Sequence, residues 1–299
     1  MSLRLAVLNV VLRRVVRPFV GRTGNPSHAR RHLALSTCVF LHGPRVPQRV
    51  TRIAGVRCRE FLPSGAGEGT ILYFHGGAYI AGSPETHRAM LSVLAVETGI
   101  RVIAPDYRLA PEHPFPEAFE DAVAVADTLD PARTVLGGDS AGGGLALAIL
   151  AHMTGRGRRP AGCFAFSPWT DLAATGVSLM ENADRDVILP PARLPELVRM
   201  VLRDGDPEDP RISPLYADFT GAPPVLLNVA LTEILRDDTL RLAARLKDQG
   251  VAVKLETLLH APHVWQILVG LVPEACASLA ETAAFIRDCL SSPTPPADN

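Results

Sequence analysis

The sequence predicts an α/β architecture, a mostly parallel sheet covered by helices on both faces. Three observations predict it. Short apolar, β-rich runs alternate with longer segments of helical periodicity. A glycine-rich turn at residues 138–142 joins one such run directly to an apolar helical segment. The 299 residues are 47% hydrophobic and 20% charged, a globular composition long enough to bury a large core.

Taken in order, residues 3–20 are rich in apolar side chains. Arg13, Arg14 and Arg17 interrupt the run, so it is too short to span a bilayer, and no small-residue cleavage site follows. Leu5, Leu8, Leu12, Val15, Val16 and Phe19 recur at helical spacing and predict an amphipathic helix packed on the protein itself, with a membrane-surface role as the alternative. Residues 21–27 read as a turn-rich link. Residues 50–61 alternate and predict one strand, antiparallel at a sheet edge. Strands are then expected at 70–74, 101–105, 133–136, 163–166, 225–229 and 252–257. Helices are expected at 84–98, 115–129, 145–152, 239–247 and 275–289. The alternation lapses at about 171–218, where helical pieces and prolines occur without a convincing strand; a lid inserted between two sheet strands is the expectation. The domain reading is an N-terminal helical cap segment at 1–45, a main domain at 46–290 carrying that insertion, and a frayed tail at 291–299.

Charge and cysteines exclude several classes of function. A net charge of −1 with no long basic run gives no footprint for nucleic acid. Cys38, Cys58, Cys163, Cys276 and Cys289 are odd in number and scattered, which argues against a disulfide framework or zinc site and for reduced thiols in the cytoplasm.

The chemistry concentrates in a few segments. Gly138-Asp139-Ser140-Ala141-Gly142 fits G-x-S-x-G in the strand–turn–helix setting that holds a serine hydroxyl exposed above a sheet. No Lys-Ser/Thr pair follows the glycines, so a phosphate-binding P-loop is excluded, and the dinucleotide G-x-G-x-x-G is absent there. His75-Gly76-Gly77-Ala78 follows the strand at 70–74, and glycine N–H groups can approach a developing oxyanion unobstructed. The expected donors are Gly76, Gly77 and Ala141, with His75 bracing the loop. A base must follow late in the chain; His260 and His263 both qualify, and the pair is too poor in further ligands for a metal.

With Tyr107-Arg108-Leu109-Ala110-Pro111-Glu112-His113-Pro114-Phe115-Pro116 and Ser167-Pro168-Trp169, these motifs stand in the order of the hormone-sensitive-lipase-like family of α/β-hydrolase esterases, which the sequence resembles over nearly its whole length. The resemblance implies a capped α/β-hydrolase fold, cleavage of short- or medium-chain esters, and no cofactor. Ala78 departs from the family, which often has a third glycine there. The segment His263-Val264-Trp265 resembles the family's histidine motif and favours His263 over His260. Glu233 falls where the family often has aspartate and becomes the expected acid, with Asp237 in reserve and Asp171 third; Asp237 and Asp238 more simply start a helix. Arg108, Glu112 and His113 are expected to stabilise the nearby loop, and Phe40, Tyr79 and Trp169 to line the substrate cleft or the core. The expected enzyme is a serine carboxylesterase with a Ser140–His263–Glu233 triad acting on small esters, with no nucleic-acid partner, no stable membrane insertion, and a homodimer through an exposed final strand. Amidase, lactonase or carbamate hydrolysis, a long-chain lipase at a membrane, and a catalytically silent ligand receptor are the rival readings.

Overall fold

The structure, a computed structural model, describes residues 1–22, 25–36 and 43–291. Phe40, Cys38 and most of the expected tail lie outside them. The N-terminal part contains α1 (Leu3–Val11), α2 (Arg17–Arg22) and α3 (Pro26–Ser36). Between α1 and α2, Leu12–Val16 form a π-helical turn, with Arg17 N–H donating to the Leu12 carbonyl oxygen. That wider turn shifts the phase of the helix. Leu5 and Leu12 are buried as expected, whereas Val15 and Phe19 are exposed. The helix α3 begins at Pro26, inside the segment read as a link.

The sheet follows: β1 (Gln48–Ile53), β2 (Val56–Phe61), β3 (Thr70–Phe74), α4 (Arg88–Thr98), β4 (Arg101–Pro105), α5 (Glu117–Ala126), β5 (Thr134–Asp139), α6 (Ser140–Gly155), β6 (Gly162–Phe166), α7 (Ser178–Glu181), α8 (Leu194–Leu202), β7 (Val225–Ala230), α9 (Arg236–Asp248), β8 (Val253–Leu258) and α10 (Pro273–Ser291). The eight strands lie in the order β1-β2-β4-β3-β5-β6-β7-β8. β1–β2 and β2–β4 are antiparallel, and every other pair is parallel. The single strand expected at 50–61 is a hairpin. Ala54 and Gly55, both at positive φ (48° and 85°), make its two-residue turn.

Strand alternation divides the core into two layers. Leu72, Phe74, Leu136 and Ala165 face α5, α6 and α9, while Ile71, Tyr73, Val135 and Phe164 face α4 and α10. Residues 171–218 contain α7, α8 and turns, with no strand among them. From β3 the chain moves to one side for β4, then crosses back to β5 on the other. The carboxyl ends of β3 and β5 therefore flank the topological switch point, where open α/β sheets bind ligands. No described helix is long and apolar enough to cross a membrane.

Candidate active site

Ser140 is the first residue of α6, directly after β5, and its φ is +53°. A non-glycine residue rarely adopts that conformation, and it persists only where the surroundings enforce it. Three glycines show the enforcement. A Cβ on Gly138 would lie 2.2 Å from the Gly142 carbonyl oxygen, one on Gly142 2.2 Å from that of Phe74, and one on Gly76 2.1 Å from Asp139 Oδ2. Ala78 (φ 55°), Tyr79 (φ 59°), Ser167 (φ 45°) and Val264 (φ 51°) share the positive-φ conformation, so strained backbone gathers at the ends of β3, β5 and β6 and in the loop after β8.

Asp139 joins the elbow to the glycine loop. Its carboxylate is buried and accepts from Tyr73 Oη (2.7 Å), the Gly76 N–H (3.0 Å) and His87 Nε2 (3.1 Å). Burial opposes charge on Asp139, but His87 and Tyr73 outweigh it and hold the carboxyl below its ordinary range. Burial likewise opposes charge on His87, and Asp139 overrides it, raising that imidazole above its ordinary value. His87 and Tyr73 were not legible in the sequence as parts of the site, since neither lies in a motif.

This arrangement corrects one expected donor. The Gly76 N–H is already used by Asp139. Among the described residues no acceptor takes the N–H groups of Gly77 and Ala78. Ala141 stands in the first turn of α6, where backbone N–H groups have no intrahelical acceptor. The available donors are thus Gly77, Ala78 and Ala141. His75 braces the loop: its ring stacks on Tyr107 at 4.3 Å, its backbone oxygen accepts from Tyr107 Oη (2.5 Å), and burial and His87 push its imidazole down to about 3.

His263 and Glu233 come together. His263 Nδ1 and Glu233 Oε2 are 2.6 Å apart, and both side chains are buried. The second carboxylate oxygen accepts from Ser167 Oγ and the Ala230 N–H, each at 2.8 Å. Ser167 Oγ in turn accepts from the Val264 N–H (3.3 Å), tying the turn after β6 to the loop that carries His263. The other ring nitrogen, Nε2, is buried without a hydrogen-bond partner. Burial opposes charge on the ring, but the Glu233 carboxylate outweighs it and raises His263 above the ordinary histidine value. The turn holding Glu233 is itself clasped by the 171–218 segment: Asn182 donates to the Glu233 carbonyl oxygen (2.7 Å), and Asp186 accepts from the Ile234 N–H (3.0 Å).

The reserve residues are occupied elsewhere. Asp237 accepts from the Ser178 N–H and pairs with Arg236, and Asp171 pairs with Arg241 and Thr175. His260 is exposed, and its carbonyl oxygen accepts from Asn9. Arg108 pairs with Asp121 (2.8 Å) and Glu112 with Arg30 (2.6 Å), binding the 107–116 segment to α5 and α3. Tyr79 and Trp169 are buried, their rings 6.4 Å apart.

Residues 71–267 match the model of a family described as having an alpha/beta hydrolase fold. The chain belongs to this α/β-hydrolase family. A crystal structure of an esterase from the bacterial hormone-sensitive lipase family superposes on this hydrolase with a TM-score of 0.89, at 37% identity, over 97% of this chain and 99% of that one. Among relatives in sequence, an acetyl-hydrolase of Streptomyces hygroscopicus is 39% identical over 73% of this chain and 75% of its own length. An esterase of Acinetobacter venetianus is 36% identical over 83% and 84%. The α/β-hydrolase at hand falls with the hormone-sensitive-lipase-like branch, as the order of its motifs implies.

Proposed function

We propose that this α/β-hydrolase is a carboxylic ester hydrolase that works through an acyl-enzyme, with Ser140 as nucleophile, His263 as general base and acid, and Glu233 as the carboxylate partner. The observation that carries the reading is the state of the His263 ring. Nδ1 is held by Glu233 while Nε2 is buried and unpartnered, in the loop that Ser167 ties to the sheet's carboxyl edge. A ring held this way keeps its proton on Nδ1 and a lone pair on Nε2.

In the first step Nε2 takes the Ser140 proton as Oγ attacks the ester carbonyl. The developing oxyanion is received by the N–H groups of Gly77, Ala78 and Ala141, and Glu233 stabilises the imidazolium. The imidazolium then protonates the departing alkoxide. Water, deprotonated by the same Nε2, releases the acid and returns Ser140. On this reading α1–α3 and the 171–218 segment serve as the cap over this site and set the room for the acyl chain. A relative named acetyl-hydrolase supports the short end of a short- to medium-chain range.

A p-nitrophenyl ester series from acetate to palmitate tests the proposal. Turnover should peak at the shorter acyl chains and fall by roughly 10⁵–10⁶-fold in Ser140→Ala, with an unchanged unfolding transition. A folded protein inactive on every ester but active on matched amides or lactones would transfer the same machinery to that substrate class.

A further inference from the structure

The first 59 residues contain twelve arginines and neither aspartate nor glutamate, although the whole chain has a net charge of −1. α1 opens this segment and packs on the protein through one side, with Val10 and Arg14 at the rim of a cleft shared with Arg185, Val187 and Thr232. Leu5 is buried on that side, and Ser2 and Asn9 bond to Glu274 and to the His260 carbonyl oxygen. The opposite face is apolar and open: Leu3 is 82% exposed, Val7 59%, Val10 51% and Val11 47%. These four recur at the spacing of one helical stripe. Arg4 and Arg14 are exposed along its flanks, and neither is paired with a carboxylate among the described residues. Among the described residues nothing covers this stripe, since the packing of α1 is supplied by its other side.

We propose that this face of α1 docks the protein on an anionic lipid surface. Leu3, Val7, Val10 and Val11 enter the boundary between headgroups and acyl chains, and Arg4 and Arg14 pair with lipid phosphates. An apolar stripe flanked by arginine is the pattern of helices that lie in a membrane interface. Arg30, Arg49, Arg57 and Arg59 are matched by Glu112, Glu60, Asp106 and Glu85, so attraction to an anionic leaflet falls to Arg4, Arg13 and Arg14, which pair with no carboxylate among the described residues. Charge also argues against a second copy of the chain on this face, because self-pairing would set arginine against arginine with no acidic residue in the segment to separate them. Since Asn9 of the same helix bonds to the loop carrying His263, docking brings the candidate site beside the lipid phase.

Co-sedimentation of the full chain with vesicles tests this, using phosphatidylcholine alone and a phosphatidylcholine–phosphatidylglycerol mixture at low and high salt. The protein should pellet with the mixture, remain in solution with phosphatidylcholine alone, and be released by salt. Val7→Ser/Val11→Ser and Arg4→Glu/Arg14→Glu should each weaken binding by roughly tenfold or more, while their thermal unfolding stays with the wild type. A chain that stays in solution with the anionic mixture at low salt overturns the proposal. So does equal binding to both vesicles, or a dimer in light scattering that Val7→Ser/Val11→Ser converts to monomer.

Discussion

Glu233 and Asp237 stand four residues apart, one in the turn before α9 and one in its first turn, and their contacts separate them. Glu233 reaches His263, Ser167 and the Ala230 N–H, whereas Asp237 is committed to Ser178 and Arg236. Glu233→Ala should therefore lower kcat by about 10³–10⁴-fold, and Asp237→Ala only mildly; steady-state kinetics on p-nitrophenyl butyrate ranks the two. The ionisation of His263 gives a second prediction. The base must be neutral to act, and Glu233 raises its pKa above 6.5. The acid limb of kcat/KM should thus fall away at a pH above 6.5, and Glu233→Gln should move that limb downward as well as slow the reaction. A wild-type limb below 6.5 would contradict this assignment of the base. At this scale the proposed residues Ser140, His263 and Glu233 are readable in the sequence through the elbow motif, the chain order and the family resemblance. The choice of oxyanion donor is not, because the sequence does not say which N–H the Asp139 carboxylate claims.

The β5–α6 junction works as an element because backbone passes where side chains cannot. Gly142 lets α6 lie against the end of β3, with any Cβ there 2.2 Å from the Phe74 carbonyl oxygen. Gly142→Ala should push the helix off the strand and either prevent soluble expression or lower the unfolding temperature by several degrees, together with activity. The Asp139 bond to Gly76 then fixes the glycine loop relative to the helix. Asp139→Asn loses the buried charge that faces His87, so kcat should fall more than KM rises; a change confined to KM would argue against a role in aligning the donors. Strand positions from β3 onward were readable to within a few residues, since buried parallel strands are nearly continuous apolar runs. The β1–β2 hairpin escaped because its turn is Ala54-Gly55, and alanine is a poor advertisement for positive φ. The start of α6 was placed too late because glycines 142–144 are weak helix formers whose presence reflects close approach.

For the molecule as a whole, the question is whether the N-terminal helices belong to the main body. Leu5 packs with Ala261, Trp265 and Leu268, beneath the loop that carries His263. Leu5→Ala should cost about 2–5 kcal/mol, or a fall in unfolding temperature of roughly 2–4 °C for each kcal/mol. A melt indistinguishable from wild type would mean the segment is a detachable arm. Architecture was legible at this scale because alternation of strand and helix leaves few topologies. The outward stripe on α1 was not, since Leu3, Val7, Val10 and Val11 lie outside the Leu5, Leu8 and Leu12 series that the spacing assigns to packing. The strand order also bears on how the protein is made. Ser140 and the proposed oxyanion donors lie at the ends of β3 and β5, but His263 follows β8, the last strand in the sequence. A domain generally folds as a unit. On the proposed roles, a chain ended before β8 keeps Ser140 but lacks His263, so hydrolysis requires synthesis past the final strand of the sheet.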